Sequence, residues 1–233
     1  LKRKEINIAQ GSRLTVGINE KLSFENEGLS LWADNEEVLN YFSFSHLISP
    51  EHLIFFGKGH SPSLYFGNES EANFTNSHSL GSYGSPFLDL SYDGSFVGYR
   101  NLLSHENEIS FALFSGQHRD ADNFLIKKKG SKGLMAEFRS RLNGTSISLQ
   151  GGLTNEGESL LGTTLSGAFG LKSSKTYFTG IEIGRLDGDI ETRGSIFIGK
   201  TKPFLARQSL ITTMEDLISS SFNFGIYKKG FFK

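Results

Sequence analysis

A chain of 233 residues can form one large β domain or two small ones, and 24 basic against 25 acidic residues leave a net charge of −1. That balance offers no basic field to a nucleic acid, so no nucleic-acid partner is expected. The absence of cysteine excludes a disulfide scaffold, a thiol nucleophile and cysteine-ligated zinc. No apolar run reaches the roughly 18 residues of a transmembrane helix, which leaves a transmembrane barrel open. Glycine at 27 residues and proline at 4 suit tight turns between uninterrupted strands. Residues 1–20 contain no apolar stretch of the signal-peptide kind and the first residue is Leu, so a mature fragment is expected.

Ile6 and Ile8, then Leu14, Val16 and Ile18, then Leu22 and Phe24 keep a period of two, with Gly11-Ser12 as a turn, and predict two or three strands. From Asp34 to Leu47 the rhythm breaks. Val38, Leu39, Phe42 and Leu47 fit helical spacing better and Ser49-Pro50 closes the stretch, so 34–50 is expected to be a short helix or an irregular insertion. Residues 67–86 are rich in Asn, Ser, Gly and Glu and predict a long surface loop. Phe87–Tyr92 and Ser95–Tyr99 flank Asp93-Gly94 and predict a hairpin.

Between Glu108 and Lys200 two-faced strands follow one another with almost no continuous apolar run. Leu134, Ala136, Phe138, Ser140 and Leu142 share one face; Met135, Glu137, Arg139 and Arg141 share the other. Thr145, Ile147, Leu149, Gly151 and Leu153 then alternate with Ser146, Ser148, Gln150 and Gly152. Asn143-Gly144 between the two runs supplies the positive backbone angles of a two-residue turn, so 134–153 predicts an antiparallel hairpin. Similar strands are expected at 109–114, 177–184, 194–200 and 221–227. Leu210, Met214, Leu217 and Ile218 return to helical spacing after Lys202-Pro203, and 203–220 is expected to be a second helical or irregular insertion. The fold expected over 1–233 is therefore a single all-β domain of antiparallel up-and-down hairpins. It is outer-membrane β-barrel-like, as a whole or an incomplete barrel, with one or two short helices.

Groups for catalysis are sparse. The histidines, His46, His52, His60, His78, His105 and His118, lack the spacing of a helix-borne zinc site, and no metal or cofactor is expected. Gly59-His60-Ser61-Pro62-Ser63 is not a nucleophile elbow, because Pro62 follows the serine and no helix pattern succeeds it. His118, Arg119, Asp120 and Asp122 are close in sequence, but neighbours on a strand point to opposite faces, and a charged strand end explains them better than a dyad. Gly162, Gly167 and Gly170 are followed by no Lys-Ser/Thr of a phosphate loop. Lys127, Lys128 and Lys129 could touch phosphate or an acidic head group, although a solvated loop accounts for them more simply. Glu137, Arg139 and Arg141 carry more weight as a shared strand face. In a soluble sandwich that face is the wet one; in a barrel it points into the lumen.

The run QGGLTNEGESLLGTTLSGAFG at 150–170 resembles the region after the protease domain in subtilisin-like autotransporter proteins of Gram-negative bacteria. Gly152, Leu153, Glu156, Gly157, Leu160, Leu161, Gly162, Ser166, Gly167, Ala168, Phe169 and Gly170 carry the likeness. The strand at 176–184, Gly184-Arg185 and Ser220–Gly225 also resemble that region, over roughly 85–233 in all. The family's Asp, His and Ser protease set has no counterpart here, nor does the chain close on the aromatic residue common at barrel ends. The resemblance implies a non-catalytic translocator-type barrel in the outer membrane, with outer-membrane lipid and a passenger of the same polypeptide as partners. The alternative is a soluble, secreted or periplasmic β-sandwich that binds a protein or glycan through its loops at 67–86 and 117–132. A hydrolase using His60 or His118 is a third and weaker expectation.

Overall fold

A computed structural model describes residues 2–9, 11–24, 33–58, 66, 85, 87, 94–117, 130–161, 163–164, 170–206, 209 and 211–228. Its strands in chain order are β1 (Lys2–Ala9), β2 (Ser12–Phe24), β3 (Ala33–Ser49), β4 (His52–Lys58), β5 (Ser95–Leu102), β6 (Asn107–Gln117) and β7 (Gly130–Leu142). They continue with β8 (Thr145–Gly157), the short β9 (Ser159–Leu160) and β10 (Thr163–Thr164), then β11 (Leu171–Asp187), β12 (Ile190–Leu205) and β13 (Leu217–Lys228). All but β9 and β10, which pair with each other, form one 11-stranded sheet in simple chain order, every neighbour antiparallel. β1 and β13 are its two edges. They run in the same direction, so a wholly antiparallel closure needs one further strand between them.

Alternation builds this sheet, and the hairpin β7–β8 is its clearest example. Leu142 faces Thr145 across a two-residue turn in which Asn143 and Gly144 adopt φ of 50° and 75°. The same period of two carries 109–114, 177–184, 194–200 and 221–227 into β6, β11, β12 and β13.

Three expectations are corrected. Residues 34–50 are not helical; they lie in β3, because β3 holds one extra residue opposite β2. Gly17 pairs with Tyr41 but Ile18 with Leu39, so positions 39 and 42 stand opposite Ile18 and Val16, two residues apart on β2. A β-bulge thus spaces the apolar residues by three and imitates a helix. The second helix is also absent among the described residues of 203–220. β12 runs through Pro203 to Leu205, the described residues of 206–216 are irregular, and Leu217 and Ile218 begin β13. Proline is tolerated there because Pro203 lies near the end of its strand, opposite Ser174. Finally, β5 does not pair with 87–92. Its two edges are taken by β4 and β6, while Phe87 lies over the sheet, stacked on Phe178 at 5.1 Å between centroids. Most of the expected loop at 67–86, and Lys127–Lys129, lie outside the described residues.

The faces of the sheet differ sharply. One is enclosed: it carries Phe55, Phe96, Ala112, Phe114, Met135, Phe178 and Phe197, together with a larger set of buried Ser, Thr, Glu and Arg side chains. Phenylalanine and glycine are paired across the strands on this face. Phe55 opposes Gly98, Phe96 Gly57, Phe114 Gly133, Phe178 Gly152 and Phe197 Gly180. A methyl group on Gly180 would stand 2.1 Å from the Phe197 ring, so the ring lies where a side chain would otherwise project. Each glycine is a seat for the neighbouring aromatic, which compensates its lack of a side chain.

Two connections reach this face. Phe66, from the β4–β5 connection, packs edge-on against Phe55 at 6.1 Å, and Phe87 from the same connection covers Phe178 and Gly199. Ser159 and Leu161, between β8 and β11, do likewise: Ser174 donates a hydrogen bond to the Ser159 carbonyl at 2.6 Å, and Leu161 packs against the buried cluster.

Candidate functional site

The outward face presents an apolar band. From β4 to β13 it exposes Phe56, Val97, Phe111, Leu113, Leu134, Phe138, Ile147, Leu149, Tyr177, Ile183, Ile196, Ile198, Phe222 and Phe224. Leu149 is 50% and Phe222 72% exposed, and contiguous exposed apolar surface of this kind is the mark of a contact face. Cross-strand pairing orders it into rows. One runs Phe138, Leu149, Ile181, Ile196, Phe222, and another Phe44, Phe56, Val97, Leu113, Leu134, Leu153, Tyr177. On β11 the outward positions between Lys175 and Arg185 are Tyr177, Thr179, Ile181 and Ile183, none charged. Lys175 to Arg185 covers about 33 Å of strand at ~3.3 Å per residue. Tilted by about 40°, that is roughly the 25 Å height of a lipid-facing band.

Charge is concentrated on the enclosed face. The Arg139 guanidinium lies between two carboxylates, with Nη1 2.7 Å from Glu108 Oε1 and Nη2 donating to Glu137 Oε2 at 3.0 Å. The first contact is an ion pair without hydrogen-bond alignment. Glu137 Oε1 accepts from the Ser148 hydroxyl and from Gln150 Nε2, the latter at 3.2 Å. Arg100 approaches Glu108 at 3.9 Å and donates to Ser110 at 3.2 Å. Glu137 and Arg139 are almost wholly buried. Buried charge of this kind persists because Arg139 faces two carboxylates and the Glu137 carboxylate also accepts from hydroxyl and amide groups, although Arg139 Nε, Arg139 Nη1 and Glu108 Oε1 have no hydrogen-bond partner.

Strand register brings these residues together. Glu108, Arg139, Ser148, Glu182, Ser195 and Asn223 are successive partners in one row; Arg100, Ser110, Glu137, Gln150 and Gly180 form the next. Arg193, bonded to Glu191 at 2.5 Å, extends the polar layer onto β12.

The residues singled out in the sequence fall in different places. Glu137 and Arg139 are at the centre of the cluster. Arg141 is at its margin, with a half-exposed side chain 3.9 Å from Glu108. Glu108, Arg100, Ser148, Gln150, Glu182 and Arg193 were not singled out as site residues, although the alternation of Glu108 with Ile109 and of Ser148 and Gln150 with Leu149 carries the same signal as Glu137 and Phe138.

Of the 150–170 run, Gly152 seats Phe178, Leu153 belongs to an outward row, and Glu156 is buried and accepts from Ser159 at 3.2 Å. Gly157 pairs with Ser173, and Leu161 turns with a φ of 50°. The Gly170 carbonyl accepts from the Ala206 amide at 2.7 Å. Gly162, Ser166, Gly167, Ala168 and Phe169 lie outside the described residues.

His46 and His52 are on the outward face, bonded to Ser12 and Tyr99 at 2.8 and 2.5 Å, away from the charged cluster. His60, His78 and His118 lie outside the described residues. Among the described residues no group of His, Asp and Glu converges as a metal site. The cluster holds carboxylates, guanidinium groups and hydroxyls that neutralise one another, an arrangement that fixes a polar interior. Comparison with protein-family models found no match, and comparison with curated proteins found none.

Proposed function

We propose that this chain is the β-barrel region of an outer-membrane protein of the autotransporter translocator type. It anchors a passenger of the same polypeptide in the outer membrane and takes part in its export, with no catalytic role of its own. The observation that carries the membrane half of this reading is the distribution across the sheet: the outward face exposes a broad band of aliphatic and aromatic side chains, while Glu108, Glu137, Arg139, Glu182 and Arg193 are buried on the enclosed face among hydroxyls and phenylalanines. A soluble sandwich places its apolar face inside and leaves charge wet, which is the opposite arrangement. A lipid-embedded barrel calls for an apolar outer band around a polar interior, and the outward face supports that reading, its one charge within the rows named above being Lys200 at the margin, paired with Asp216 at 3.0 Å.

The translocator half rests on the resemblance of 150–170. An extended passenger would have to displace the side chains that occupy the enclosed face, Phe66, Phe87 and Leu161. Two measurements test the halves separately. Refolded in detergent, the protein should migrate differently before and after boiling and should precipitate when detergent is removed; a soluble monomer without detergent overturns the membrane reading. A reporter fused ahead of residue 1 should become sensitive to externally added protease when the fusion is expressed in a Gram-negative host. A reporter that stays protected while the barrel is heat-modifiable leaves an outer-membrane protein without a translocator role.

A further inference from the structure

The two ends of the outward band are unlike. At one end the strands are joined by short turns, at 10–11, 50–51, 103–106, 143–144 and 188–189; at the other the connections span 25–32, 59–94, 118–129, 158–170 and 206–216. Outer-membrane barrels have short turns on the periplasmic side and longer loops on the cell exterior. At the long-connection end the row just beyond the apolar band reads Lys58, Ser95, Ser115, Lys132, Asn155, Lys175, Lys202. No acidic residue occupies an outward position in it.

We infer that Lys58, Lys132, Lys175 and Lys202 form a contact surface for the phosphates of a phosphorylated glycolipid in the leaflet that surrounds the long-connection end. The inference rests on the outer-membrane reading above. Lys175 and Lys202 are direct partners across β11 and β12, and like charges in that relation repel unless an anion lies between them. None of the four has an ion-pair partner among the described residues; the neighbouring Lys200, beside Tyr177 in the last row of the band, takes Asp216 at 3.0 Å. The Lys175 ammonium is 5.3 Å from the centre of the Tyr177 ring, so its stem lies along the apolar band while its charge stands at the boundary.

From β4 to β12 the row stretches about 29 Å at ~4.8 Å per strand. That arc of wall meets several head groups and is no pocket for one free anion. A head group with more than one phosphate can neutralise adjacent lysines together, and lysine suits it as a compact charge with three donors. The outward-facing leaflet of an outer membrane is built from such glycolipid. At the short-turn end the corresponding positions include Thr145, Arg185 and Thr192, with Asp187 at the end of β11 and Asp189 in the adjoining turn, so neither charge sign dominates.

The test compares the full chain with a variant carrying K58Q, K132Q, K175Q and K202Q, both refolded in zwitterionic detergent. Each is mixed with lipopolysaccharide, and the amount retained through gel filtration is measured. Loss of roughly fivefold in affinity per lysine is expected, with recovery when the same positions carry Arg and no change for Arg185→Gln at the opposite end. Two double variants, K58Q/K132Q and K175Q/K202Q, serve if the quadruple variant does not refold. Unchanged retention by variants that keep the heat-shifted mobility overturns the inference and leaves the barrel standing. Equal lysine-dependent retention of phosphatidylglycerol overturns the choice of glycolipid. A wild-type chain with no heat shift and no need for detergent overturns the outer-membrane reading itself.

Discussion

Leu149 and Gln150 are neighbours on β8 and belong to opposite environments. Leu149 stands half-exposed in an apolar row, while Gln150 is buried and donates to Glu137 and Ser148. The same contrast separates Phe138 from Arg139 and Ile183 from Glu182. A protein in water reverses this assignment, since burying charge is costly and exposing apolar surface forfeits the hydrophobic effect. On the outer-membrane reading proposed above, the outer medium is apolar and the enclosed face supplies the polar partners that the medium cannot.

Substitutions on the two faces should therefore cost stability for different reasons. The largest loss is expected on the enclosed side. Arg139→Ala leaves Glu108 and Glu137 buried without their shared cation and should lower unfolding free energy by about 3–5 kcal/mol, as measured by urea titration in vesicles. Combining it with Glu108→Gln and Glu137→Gln should recover part of that loss; no recovery would mean that the guanidinium acts through packing.

Next in size is Leu149→Arg on the outer side, expected to cost about 2–4 kcal/mol in a bilayer. For a sheet whose outer face meets water the same change falls within roughly 0.5 kcal/mol, so this variant breaks the comparison most cleanly. Adjacent glycines sharpen it further. A methyl group on Gly152 would lie 2.4 Å from the Leu134 carbonyl oxygen and 2.6 Å from the Phe178 ring, whereas one on the outward Gly151 meets nothing closer than 3.6 Å. Gly152→Ala should cost about 1–3 kcal/mol, and Gly151→Ala should be neutral or slightly stabilising, both read from the same titrations. The smallest loss belongs to the turn, where Gly144 has a φ of 75° and Gly144→Ala should cost about 1 kcal/mol.

Much of this contrast was legible in the sequence. Uninterrupted alternation and one Asn-Gly turn suffice for the β7–β8 hairpin, and they place Glu137 and Arg139 on a common face. Alternation cannot say which face is enclosed, because Phe138 and Arg139 keep the same period whichever of the two points outward. The reading failed where a local irregularity shifted the phase, as the extra residue in β3 spaced Leu39 and Phe42 like a helix. It failed again where a partner was remote. Phe87 stacks on Phe178, far along the chain, and nothing near Asp93-Gly94 reveals that β5 would take β4 as its neighbour instead. The cluster was legible in part for the same reason. Each Glu, Ser or Arg declares its face within its own strand, but the rows that join Glu108 to Arg139 and Ser148 exist only through register.

The claim that the outer face meets lipid can be measured directly because the chain contains no cysteine. Single cysteines from Thr145 to Leu153, spin-labelled and reconstituted in bilayers, should alternate with a period of two. Labels at the odd positions Ile147, Leu149 and Gly151 should be accessible to oxygen and shielded from a water-soluble relaxation agent, with the deepest signal near Leu149. Ready access of the water-soluble agent to those odd positions, in a protein that stays dissolved without lipid or detergent, would contradict the account.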